Sequence, residues 1–173
     1  MKNKMLRVVL LIAVVSLVVL PACAQPGTPR QNTSFNFIFK YGVGAGNILD
    51  TFENSYTRDM VIDPPERTKM VLTDHEMNSI YAKMRDIGFF DYPVQFSIPM
   101  PKEGSVGMVT PHQTYYFKVT VGTQSKELTW EDNIITVKSE PADKLRELIT
   151  LILKIIEAKP EYKTLPTPRG GYI

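Results

Sequence analysis

The chain has 173 residues, 20 Lys and Arg against 18 Asp and Glu, 43% hydrophobic residues, 10% aromatics and one cysteine. That is the length of one domain. Its aromatic content excludes a disordered chain, and thirteen prolines and ten glycines in non-repeating order exclude collagen-like and coiled-coil chains. A single cysteine excludes an intramolecular disulfide framework and a cysteine-cluster zinc site.

The N-terminus carries Lys2, Lys4 and Arg7 with no acid, followed by an apolar run from Val8 to Leu20 broken only by Ser16. As a helix this run rises about 20 Å, short of the roughly 30 Å hydrocarbon core of a bilayer. A basic start, a short apolar stretch and a patch of small residues are the parts of a secretory signal peptide, assigned here to residues 1–22. Leu20-Pro21-Ala22-Cys23 resembles the lipobox of bacterial lipoproteins, in which the thiol is acylated and the chain is cut before the cysteine. The resemblance makes Cys23 the lipidation site and the membrane a partner through the N-terminal lipid, although Pro21 stands where that family favours Ala, Ser or Thr. The other cleavage pattern is Ala22-Cys23-Ala24, cut before Gln25, which would give a secreted protein without an anchor. Removing residues 1–22 takes away three cations and no acid, so the formal charge moves from +2 to −1. The basic balance belongs to the targeting peptide. No basic run survives to bind nucleic acid.

Residues 24–34 contain two prolines, a glycine and no large apolar side chain, and with Cys23 they read as a lipidated, flexible tether (23–34). Phe35, Phe37, Phe39 and Tyr41 then alternate with polar or smaller residues, the period of a half-buried strand. Gly42 to Asn47 is a turn. Ile48–Phe52, Tyr56–Ile62 and Thr68–Leu72 read as short strands. Thr73 and Glu76 form a capping box, with Leu72 and Met77 as hydrophobic staple. Met77, Ile80, Tyr81, Met84 and Ile87 then make a helical stripe that Gly88 ends. Pro93 to Pro111 has no period and reads as a long irregular loop. Tyr115, Phe117, Val119 and Val121 alternate, Gly122–Ser125 is a hairpin turn, and Lys126–Trp130 is its return strand. Ser139, Pro141 and the run Ala142–Ala158 form a second helix with Leu145, Leu148, Ile149, Ile152, Ile155 and Ile156 on one face. Pro160 ends that helix, and 161–173 is loop. Hairpin-linked strands interleaved with two amphipathic helices predict a single α+β domain over 35–173. Its antiparallel sheet would carry both helices packed on one face.

Few residues offer chemistry. The glycine-rich Gly42–Asn47 segment precedes a strand-like run instead of a helix, so it is a turn and not a phosphate loop. His75 lies in the first turn of a helix, where it is solvated. His112 is the one candidate general base, with no identifiable nucleophile beside it. Two histidines without metal-ligand spacing imply no metal, and no motif implies a cofactor. Met60, Met70, Met77, Met84, Met100 and Met108 read as core filling, not as the clustered thioethers of a copper site. Asp50, Glu53, Asp59 and Asp63 read as a solvated edge. The Pro93–Pro111 stretch carries Met100, Val106 and Met108, which are the candidate partner-binding residues, because loops on a rigid scaffold are where binding groups concentrate.

The lipobox-like Leu20–Cys23, the aromatic strand running into Leu49-Asp50-Thr51-Phe52, Tyr56-Thr57-Arg58-Asp59-Met60 and the Leu72-Thr73 helix start resemble a group of small lipoproteins of Gram-positive bacteria. The resemblance implies an outward-facing, lipid-anchored location and no activity. With no catalytic set in view, the expected role is a non-catalytic binding or interaction module at the cell surface for a protein or small-molecule partner. The alternative is a small hydrolase acting on cell-envelope material, built on His112 and a carboxylate.

Overall fold

A computed structural model describes residues 34–173. The expected signal peptide, Cys23 and the expected tether up to residue 33 lie outside the described residues.

Seven strands form one sheet: β1 (Phe35–Tyr41), β2 (Asn47–Asp50), β3 (Ser55–Arg58), β4 (Glu66–Lys69), β5 (Gln95–Phe96), β6 (Met108–Val121) and β7 (Gln124–Ile134). Their order across the sheet is β4-β3-β2-β1-β6-β7-β5, and every neighbouring pair is antiparallel except β5 and β7. The fold is the expected α+β class. The period-2 pattern of β1 places Phe37 and Phe39 fully inside, and its register against β6 sets Phe39 opposite Phe117 and Phe37 opposite Val119, both also fully buried. Trp130 and Leu128 of β7 and Leu49 of β2 extend the same inner layer. The opposite face carries Lys40, Lys118 and Glu127 and faces water, as one side of an antiparallel sheet commonly does.

Helix α1 (Asp74–Asp86) begins at the predicted capping box: the Thr73 hydroxyl accepts from the Glu76 N–H and the Glu76 carboxylate accepts from the Thr73 N–H at 2.7 Å. It ends where Gly88 takes a left-handed φ of 67°, a conformation glycine adopts without steric cost. Helix α2 (Glu140–Ala158) is capped by Ser139 and has Pro141 in its first turn. Ile80 and Met84 of α1 and Leu145, Leu148, Ile149, Ile152 and Ile156 of α2 bury into one core with the sheet's inner face. At the surface Lys83 of α1 donates to Glu147 of α2 at 2.6 Å.

Five details differ from the sequence reading. The strand expected over Tyr56–Ile62 stops at Arg58, because the Asp59 carboxylate accepts the Val61 N–H and Val61 turns the backbone at φ 65°. The strand expected over Thr68–Leu72 forms earlier, at Glu66–Lys69, and its exposed Glu66, Arg67 and Lys69 make a charged sheet edge of the kind that resists strand addition. The 93–111 stretch is largely structured: Gln95–Phe96 joins the sheet beside β7, and β6 already starts at Met108, leaving 97–107 irregular. The β6–β7 turn is also tighter than expected, only Gly122-Thr123 separating the strands, with Gly122 at φ 60° as such a loop requires. In the tail, Pro160 begins a short helix α3 (Pro160–Lys163), since proline fits the first helical turn as well as it ends a preceding helix.

Candidate functional site: a tyrosine-lined cleft under the C-terminal strap

Both inward positions of β3 are unusual. Tyr56 and Arg58 lie two residues apart on the core side of the sheet, and both are buried. Arg58 is 8% exposed and is the one charged residue buried among the described residues. The C-terminal segment folds over it. One Nη donates to the carbonyls of Leu165 and Pro166, both at 3.0 Å, and the other donates to the carbonyl of Tyr162 at 3.1 Å. The guanidinium carbon stands 4.0 Å from the centre of the Tyr162 ring, a cation–π contact. No carboxylate of the described residues lies within 4.0 Å of the guanidinium, and residues 1–33 contain no Asp or Glu. The cation is thus held by neutral carbonyls and an aromatic face.

Farther along, the strap 164–173 is latched to the same corner of the sheet. Arg169 makes a two-pronged ion pair with Asp63, at 2.5 and 2.8 Å, and bridges Val61 through the main chain. The Arg169 guanidinium holds the Asp63 carboxyl below its ordinary range. The Tyr172 hydroxyl donates to Asp59. The expectation of a solvated acidic edge therefore holds only in part: Asp59 and Asp63 are anchor points for the tail. Asp50 is another local clasp, accepting from the N–H groups of Phe52 and Glu53.

Between strap and sheet lies an open cleft of about 470 Å³, lined by residues from β1, the β1–β2 turn, β2, β3, β6, α3 and the tail. Its floor is a hydrogen-bonded chain. The Tyr41 and Tyr56 hydroxyls are 2.6 Å apart, Tyr56 donates to Asn47 Oδ1 at 3.3 Å, and that oxygen also accepts the Asp59 N–H at 3.1 Å. Burial pushes the Tyr41 phenol far above its ordinary pKa, with the neighbouring Tyr56 adding to the effect, and burial also raises Tyr56. Both phenols therefore keep their protons at neutral pH. Gln113 and Thr167 also line the cleft, and neither side chain makes a hydrogen bond within the described residues. The Gly42–Asn47 segment forms its rim as a plain turn, held by the Gly42 carbonyl, which accepts from Ala45 N–H at 3.1 Å and Thr114 N–H at 2.9 Å.

The residues singled out from sequence lie elsewhere. Met100 and Met108 are exposed, at 57% and 59%, whereas Val106 packs partly against the core. The three therefore do not form one exposed patch. Gly107 donates to the Thr136 hydroxyl at 2.8 Å, and Ile98, at 3% exposure, anchors the loop's other end. His112 stands in β6 with Nε2 3.8 Å from the exposed Glu131 carboxylate. Among the described residues no serine hydroxyl hydrogen-bonds to it, and no group of three acidic or histidine side chains is arranged to hold a metal ion. His75 is exposed, as expected. Among the described residues, no helix is long and apolar enough to cross a membrane.

Arg58 was not among the candidates from sequence. The available signal was the alternation Tyr56, Arg58, Met60, which turns a cation inward with two large side chains. No family model matches the chain, and no curated protein sequence matches it significantly.

Proposed function

We propose that this protein is a lipid-anchored, extracytoplasmic binding module, attached through Cys23, that captures a small ligand in the cleft beneath its C-terminal strap. The observation that carries the binding reading is the composition of that cleft. A buried guanidinium, a carboxylate, two amides and three phenols converge on about 470 Å³, and neither histidine lines it. Sites of this size with a few convergent polar groups suit small-molecule recognition, while hydrolysis needs an activated nucleophile or a positioned base. The charged β4 edge and the two-residue β5 at the opposite edge argue against recognition by strand addition. The exposure of Met100 on the 97–107 loop and of Met108 at the start of β6 favours a second contact surface, for a protein partner. The anchor reading rests on the basic start, the apolar run and Leu20-Pro21-Ala22-Cys23.

The test has two arms on the full chain produced in a bacterium. Metabolic labelling with an alkyne fatty acid should mark the protein and be lost in Cys23→Ala. A mature chain beginning at Gln25 without lipid would overturn the anchor. Tyrosine ring resonances of Tyr41 and Tyr162 should shift when a pool of envelope-derived small molecules is added. Turnover of any component of that pool, abolished by His112→Ala, would replace the binding module with the hydrolase.

A further inference from the structure

We infer that the cleft recognises a small zwitterion of the size of a free amino acid, its carboxylate taken by Arg58 and its ammonium by Asp59. The inference deepens the binding reading above and rests on it. Arg58 and Asp59 are consecutive in sequence and line one cleft, yet their charged groups are more than 4.0 Å apart and, among the described residues, each is held only by neutral partners. Arg58 meets three main-chain carbonyls and a ring. Three of its five N–H donors are thereby used, and the residue is among those lining the cleft. Asp59 accepts the Val61 N–H at Oδ1, 3.0 Å away, and the Tyr172 hydroxyl at Oδ2, with no cation within 4.0 Å among the described residues.

Buried or half-buried charges are normally paired, because a neutral partner compensates lost hydration only in part. A guanidinium fork is best matched by a carboxylate, and a carboxylate with spare lone pairs by an ammonium. A ligand that carries both satisfies both, and it adds no net charge to a cleft whose own pair sums to zero. A dianion such as phosphate would gain Arg58 but meet repulsion from Asp59. The remaining lining suits the rest of an amino acid. Tyr41, Tyr162 and Tyr172 offer ring faces and edges to a side chain or to the ammonium, and the free amide of Gln113 offers a donor and an acceptor. The volume, toward the lower end of small-molecule pockets, fits such a ligand and excludes a folded partner.

The experiment is isothermal titration of the full chain with each standard L-amino acid in turn, and with acetate, methylammonium and inorganic phosphate as partial or mismatched probes. At least one amino acid should bind with a Kd below about 1 mM, and acetate and methylammonium should each bind at least about tenfold more weakly. Phosphate should not bind. Asp59→Asn keeps an oxygen for the Val61 N–H, so the fold persists, and it should cut amino-acid affinity about tenfold or more while leaving acetate unaffected. Arg58→Lys keeps the charge but not the fork, and should weaken both. Acetate binding as tightly as the best amino acid, or an Asp59→Asn protein that binds it unchanged, would overturn the zwitterion. So would the absence of heat with every probe. If the Tyr41 and Tyr162 resonances still shift with a neutral or dianionic compound, only the ligand class is wrong. If no compound shifts them, the binding reading falls as well.

Discussion

The strap over residues 164–173 and the loop over residues 97–107 are similar in length and both contain prolines and glycines, yet they are held by opposite means. The loop is fixed at its two ends by apolar burial, Ile98 at one and Val106 at the other, and its middle, from Pro99 to Ser105, is exposed. The strap has few apolar anchors, chiefly Leu165 and, just before it, Tyr162. It is tied down by polar groups of β3 and the turn after it: Arg58, Asp59 and Asp63. Irregular chain is thus ordered by what the body of the domain presents to it. A loop over apolar ground carries a free middle that is available to a partner. A strap over a buried cation lends its carbonyls to that cation and walls a cleft.

That contrast can be broken at its strongest point. Arg58→Ala leaves two strap carbonyls and that of Tyr162 without their charged donor and opens space under the Tyr162 ring. It should cost about 3 kcal/mol of stability in urea unfolding, with strap amides losing hydrogen-exchange protection first. A loss below about 1 kcal/mol would mean that the strap holds without its cation. Ile98→Ala attacks the loop's apolar anchor and should cost about 2 kcal/mol, the range for emptying a buried aliphatic site, without touching strap protection.

Acid should loosen the root of the strap and spare the loop. Lys159, between α2 and α3, pairs with Glu76 at 2.6 Å and donates to the Val71 carbonyl at 3.0 Å. Burial alone would raise the Glu76 carboxyl, but Lys159 and the Thr73 N–H and hydroxyl outweigh it, and the group is held below its ordinary value. A depressed carboxylate stabilises the fold above its unfolded pKa. The contribution is therefore intact at neutral pH and disappears as pH falls from about 4.5 through the lowered folded value. Thermal melts across that window should show a loss in the native chain larger by up to about 1 kcal/mol than in Glu76→Gln, which keeps the acid response of other depressed carboxylates such as Asp63. The smallest effects are at the surface. Arg169→Ala removes an exposed ion pair and should lower stability slightly, the difference vanishing at high salt. Met100→Ser should change stability by less than about 0.5 kcal/mol, because the side chain is exposed; any larger loss would show that the loop's middle packs after all.

Much of the fold was legible from short-range patterns. β1 ran over the predicted residues because four aromatic side chains at period two dictate one buried face, and α1 began at its capping box because the reciprocal Thr73–Glu76 bonds need only four residues of chain. Strand ends were less legible where a side chain intervened, as Asp59 does after β3. The candidate site was hardly legible at all. Its β3 half was present in the inward position of Arg58, but the other half comes from a tail that composition alone marks as loop.

By itself, the sequence determined the α+β class, the two helices and the aromatic inner face, since each follows from periodicity or capping within a few residues. Its reading of all six methionines as core filling holds for Met60, Met70 and Met84 and in part for Met77, and fails for the exposed Met100 and Met108, which no local pattern places. Only the tertiary structure decided that Arg58 is buried against carbonyls 104 to 108 residues away, and that Asp63 meets Arg169 across 106 residues. Those contacts form because the chain leaving α2 returns over the open corner of the sheet, where a cation and two carboxylates stand ready to bind main chain and side chain alike. No local pattern encodes that return. It is selected by the long-range satisfaction of charges that the core would otherwise leave without partners.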